Sequence, residues 1–203
     1  IYVLMAWVGI IVVAKALKLE KYGFELKAYS LVYKNKSVND VLIKVLGRTK
    51  RGIKVFADLS VIAGFLMMGF AFYFLLNNVS NYFVAPDGFS ELTVLIPGVT
   101  LTSAPAITYF LLSIPIVLVM HEGAHGIVAA LEKIKIKTGG FAIFIALFAG
   151  FVEPDEEEFE KAKKISKLRV IGAGATSNVL FAIVLGAIML TNPIFGMVLE
   201  SIP

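Results

Sequence analysis

"YFLLSIPIVLVMHEGAHGIVAAL", residues 109–131, is apolar enough and long enough to cross a bilayer as a helix, yet it holds both histidines of the chain, His121 and His125, with Glu122 between them. An ionisable group in such a run is costly unless it has a partner or a task. His121 and His125 are four residues apart. On a helix they therefore leave one face about one turn apart. Glu122 projects about 100° further round.

The rest of the composition agrees with a membrane setting. The 203-residue chain is 58% hydrophobic and 17% charged, against about 45–50% and about 25% in soluble domains. With no cysteine, disulfides and thiolate metal sites are excluded, and the redox compartment stays open. The net charge of +4 collects beside apolar runs. It reads as a topology signal rather than a nucleic-acid footprint. Three further segments approach the length of a span: Ile1 to about Leu17, the uncharged Leu59–Leu76, and about Val170–Thr191, closed by Asn192-Pro193.

The loops orient these four spans. Residues 15–58 hold eleven Lys/Arg against four acidic residues, whereas 77–106 hold no Lys or Arg. By the positive-inside rule the first stretch is cytoplasmic and the second external. Residues 18–53 alternate apolar and polar in places ("FELKAYSLVYK"), which predicts a short surface hairpin. Gly139–Val152, "GGFAIFIALFAGFV", is too short to span and has charged flanks on one side, so a re-entrant segment or hairpin is expected, with a polar cavity beside the third span. Residues 153–169, "EPDEEEFEKAKKISKLR", predict a surface helix with acids first, bases last and a stripe of Phe159, Ala162, Ile165 and Leu168.

Two imidazoles one turn apart can hold one divalent metal ion, and His-Glu-x-x-His on a helix is the zinc metalloprotease pattern. In that reading His121 and His125 are ligands, and Zn2+ brings the pKa of its water toward about 7. Glu122 acts on that water as general base. A structural His–Glu cluster, or a proton relay in a transporter, is the competing reading.

These stretches resemble the site-2 protease family of intramembrane zinc metalloproteases, in an archaeal and eukaryotic-like branch. "HEGAH" (121–125) is similar to its metal motif, and "FAGFVEPDEEEF" (148–159) to the stretch after its re-entrant hairpin. "KLRVIGAGATSNVLFA" (167–182) resembles its Gly-x-x-x-Asn element, which implies substrate-side roles for Gly174 and Asn178. Ala175 stands where the family usually has proline, and no Asp follows Asp155. The family's third zinc ligand is an Asp on a later membrane helix, often preceded by an external PDZ-like domain. The resemblance thus implies an N-terminal portion of a longer protein, with that ligand beyond Pro203.

The expected architecture is an all-α polytopic membrane protein of about four transmembrane helices, with a short re-entrant segment, β-hairpin in form, between the third and fourth. Residues 1–58 carry the first helix and a basic cytoplasmic segment, 59–106 the second helix and an external loop, and 107–203 the metalloprotease core. The expected activity is zinc-dependent cleavage within transmembrane segments of membrane-anchored proteins, at a site toward the cytoplasmic side. The expected cofactor is Zn2+, and the partners are such substrates and the lipid bilayer, with no nucleic acid. A metal transporter or proton-coupled carrier using the same His/Glu cluster is the alternative.

Overall fold

The computed structural model describes residues 2–145 and 147–191. Helix α1 (Tyr2–Ala16) has 15 residues. It lies against a sheet: Trp7 and Ala14 are buried on Leu31, and Trp7 Nε1 donates to the Ala28 carbonyl at 2.8 Å.

Ala28 belongs to the turn joining β1 (Phe24–Lys27) and β2 (Ser30–Asn35). This is the hairpin expected within 18–53. Strands β3 (Ile136–Phe144) and β4 (Leu147–Pro154) form the one expected at 139–152. The two hairpins combine in one antiparallel sheet of order β1-β2-β3-β4, so the all-α expectation is corrected to a mainly helical chain with a four-stranded sheet. Tyr33 pairs with Phe141 and Asn35 with Gly139. A lone hairpin near lipid would leave backbone donors and acceptors unpaired, which is costly, and β2 supplies partners along β3. Gly140 permits the approach, because a Cβ there would collide with the Tyr33 carbonyl.

Helix α2 (Val38–Val84) has 47 residues and contains the expected Leu59–Leu76 span. Its helical geometry breaks at Thr49, where φ is −132° and ψ 21°. Helix α3 (Ala104–Leu131) starts at Ser103, whose Oγ accepts the Ala106 N–H at 3.3 Å, and runs on through Pro115. The single helix expected over 153–169 is broken. Pro154 ends β4, Asp155 caps α4 (Glu156–Lys161), and Ala162 turns extended (ψ 152°) before α5 (Lys164–Thr191) begins. The predicted stripe is therefore split. Phe159 and Ala162 pack on the helical core, while Ile165 and Leu168 are exposed.

Among the described residues three helices, α2, α3 and α5, are long and apolar enough to cross a membrane, and α1 is a shorter apolar helix. Asn192-Pro193 lie outside the described residues. Small residues let these helices meet closely, as suits packing where lipid offers no hydrophobic drive. A Cβ at Gly172 of α5 would strike the Ser60 carbonyl of α2, and Ala57, Ala124, Ala129 and Ala173 fill the junction. Arg169 ties all three helices together, pairing with Glu132 at the end of α3 (2.9 Å) and with Asp58 of α2. Outward, α2 exposes Phe65, Leu66, Phe70 and Phe72. Such a continuous apolar surface marks contact with lipid or another protein.

Candidate active site

His121, Glu122 and His125 lie on α3, and α5 and β4 approach that helix from two sides. The histidines face α5. Their ring centroids are 4.9 Å apart at 75°, and both Nε2 atoms point at the bare Cα of Gly174. A Cβ there would lie 2.7 Å from Nε2 of His121 and closer still to Nε2 of His125. Glycine is thus the one residue that lets α5 sit under both imidazoles.

The outer nitrogens are held. His125 Nδ1 lies 2.6 Å from the Val170 carbonyl. A carbonyl only accepts, so Nδ1 carries the proton and Nε2 keeps its lone pair, the form in which imidazole binds a metal. His121 Nδ1 lies 3.0 Å from Asn178 Nδ2, while Asn178 Oδ1 is buried with no partner among the described residues. An asparagine's amide ends exchange by a half-turn. Turned, Oδ1 accepts the Nδ1 proton of His121 and frees that Nε2 as well. Ser177 Oγ lies between α5 and α3, 2.7 Å from the Gly174 carbonyl and 3.1 Å from the Met120 carbonyl.

Glu122 faces β4 instead. Its Oε2 accepts the Val152 N–H at 3.1 Å. The contact needs glycine at position 150, where a Cβ would lie 2.9 Å from Glu122 Cγ and 3.3 Å from Leu118 Cβ. Between α3 and the β3–β4 hairpin lies a cavity of about 500 Å³ reaching Glu122, with Leu118, Ile114, Phe141, Phe148 and Phe151 among its walls. The sequence predicted a polar cavity here. Its walls are chiefly apolar, because the hairpin satisfies its own backbone by strand pairing rather than with water.

These contacts suit a divalent metal that takes nitrogen donors. His121 and His125 present two converging Nε2 atoms, each oriented through Nδ1 by a group on α5. Catalytic zinc normally takes three protein ligands plus water. Among the described residues no third His, Cys, Asp or Glu joins the pair.

Residues 109–199 match the sequence model of peptidase family M50. M50 is the site-2 protease family, a family of metallopeptidases, and the match covers just under half of the chain. Together with the long apolar helices, this match points to a membrane protein. No solved structure gives a significant match. The M50 segment takes in α3, the β3–β4 hairpin and α5, the elements that meet at the histidines. Gly174 and Asn178, proposed from resemblance alone, adjoin His125 and His121. The Val170 carbonyl, the Val152 N–H and Ser177 were missed. The first two are backbone groups with no side-chain signature, and Ser177 lay inside a small-residue run that reads simply as packing.

Proposed function

We propose that the chain is a multi-pass intramembrane zinc metalloprotease that hydrolyses peptide bonds within transmembrane segments of membrane-anchored substrates, in regulated intramembrane proteolysis. The observation that carries this reading is the convergence of both histidine Nε2 atoms on Gly174, with Glu122 one residue away on an apolar cavity. His121 and His125 would hold zinc, which when bound supplies the Lewis acidity that makes water acidic near neutral pH. Glu122 takes a proton from the attacking water and returns it to the departing amine. Val170 and Asn178 orient the two imidazoles, and Gly174 leaves them room. Asn178 and Gly174 thereby border the substrate position.

A helical substrate hides its backbone and must unwind before attack. Strand β4 offers an edge for the unwound segment. The Val152 N–H points away from β3 toward Glu122. By the alternation of a strand, Gly150 and Phe148 present their backbone groups on that same edge. An extended apolar segment pairing there, its side chains in the cavity, would bring a scissile carbonyl beside Glu122. The basic 15–58 stretch supports a cytoplasmic position for this end of the molecule. Apolar cavity walls disfavour the transporter alternative, which needs a polar path.

The test is elemental analysis of purified protein alongside cleavage of a membrane-embedded peptide. About one zinc per chain is expected, lost in His121→Ala. Glu122→Gln should keep the zinc and lose cleavage. A wild type without zinc would remove the proposal.

A further inference from the structure

A strongly basic surface lies between the sheet and the apolar window of α2. Lys36, Lys44, Arg48, Lys50, Arg51 and Lys54 are all exposed. One acid, Asp40, lies among them in the sequence. Three lysines elsewhere find carboxylates: Lys34 pairs with Glu25, Lys137 with Asp155 and Lys161 with Glu157. Among the described residues none of the six does. Between them Val41, Ile43 and Val45 are exposed too. Unpaired cations interleaved with bare aliphatic side chains fit poorly to water alone. They suit an interface that is anionic at one depth and hydrocarbon just beyond it.

The position agrees. The segment immediately precedes the apolar part of α2, and the helix breaks at Thr49, so the leading part is free to leave the axis of the span. That leading part is anchored on its other side. Leu42 fills the space above Gly126, Val38 packs on Gly139, and Asn39 Oδ1 accepts the Ile136 N–H at 3.1 Å.

We propose that residues 36–54 form a docking surface for anionic phospholipid headgroups of the membrane that the chain spans. The inference rests on the membrane-spanning reading and on nothing about metal or catalysis, so zinc content and peptide cleavage can fail without touching it. The basic side chains take phosphate oxygens, and the valines and Ile43 enter the acyl boundary.

The whole chain, reconstituted in equal parts of phosphatidylcholine and phosphatidylglycerol and then extracted in mild detergent, tests this through the phospholipid that stays bound, identified by native mass spectrometry. Phosphatidylglycerol should be retained over phosphatidylcholine by about tenfold or more, given six basic side chains at the surface. High salt should erase the preference. Lys44→Gln/Arg48→Gln/Arg51→Gln/Lys54→Gln should abolish it, with unfolding in phosphatidylcholine alone unchanged. Lys161→Gln, away from the surface, should keep it. If the quadruple variant does not fold, Lys44→Gln and Arg51→Gln singly should each reduce the preference. Retention at the bulk ratio by wild type, or a preference that survives these substitutions, overturns the proposal.

Discussion

Gly174 sits against His125 so closely that no side chain, not even a methyl group, fits between the α5 backbone and Nε2. Alanine is the better helix former by about 1 kcal/mol, so on propensity alone Gly174→Ala would stabilise α5. The contact predicts the reverse at the site. Both imidazoles must swing off their partners on Val170 and Asn178, or α5 must move away. Gly174→Ala should keep its helix content by circular dichroism and lose most of its zinc in elemental analysis.

Glu122→Gln separates structure from chemistry. A glutamine oxygen still accepts the Val152 N–H, so β4 stays seated on α3. The amide cannot take a proton from water. Loss of a general base costs about 10²–10⁴-fold in rate. Cleavage of a membrane-embedded peptide should fall by at least the lower figure, while zinc content and thermal unfolding match wild type. Glu122→Ala, which orphans the Val152 N–H, should lower the unfolding midpoint as well.

Gly150 tests the hairpin independently of the metal. A Cβ there presses on Glu122 Cγ and Leu118 Cβ, so Gly150→Ala should lift β4 from α3. Gly150→Pro also removes an N–H from the strand edge nearest Glu122. Both variants should retain zinc, because the histidines face α5 and not β4. Cleavage should drop in the alanine variant and vanish in the proline variant. Full activity of Gly150→Pro would count against strand addition at this edge.

Local patterns and non-local pairings were unequally legible. The apolar runs around His121, Leu66 and Val179 mark helices because hydropathy along one segment suffices to read them. The His-Glu-x-x-His spacing likewise needs only one helix. The joining of the hairpins was hidden, because Tyr33 meets Phe141 across most of the chain and neither strand's own alternation names its partner. The break at Ala162 was hidden as well. "EFEKAKKISKLR" is good helix sequence throughout, and packing of Phe159 and Ala162 on the core overrides that propensity. Glycines were ambiguous for a related reason. Gly123 has open space where a Cβ would go, whereas Gly126, Gly150 and Gly174 face neighbours that no local window contains.

The Arg169 cluster should hold the helices together from below the histidines. Arg169 and Glu132 keep only 20% and 12% of their side-chain surface exposed, and Ser166 also donates to Glu132. Removing one member of a partly buried pair strands the other charge, at a cost below the about 3 kcal/mol of a fully buried one. Arg169→Ala should therefore unfold at clearly lower denaturant, whereas Arg169→Ala/Glu132→Gln should recover part of the loss. Equal stability of the two would mean that the pair contributes little.

Asp155 ties α4 to the sheet in a pH-dependent way. The Glu158 N–H, donated to its carboxylate at 3.0 Å, holds its pKa below the usual 3.8, opposed by desolvation and helped by Lys137 at 3.3 Å. A carboxylate whose pKa falls on folding stabilises the fold above its unfolded pKa. That contribution fades as pH drops from the ordinary aspartate range through the lower folded value. Asp155→Asn keeps an oxygen for the Glu158 N–H but cannot ionise, so it should flatten this acid limb. Amide hydrogen exchange at Glu158 and Phe159 reads the change directly: protection should decline with acidification in wild type and stay level in Asp155→Asn. An identical acid response in both would show that capping by the neutral carboxyl is enough, and that Lys137 contributes nothing to holding α4.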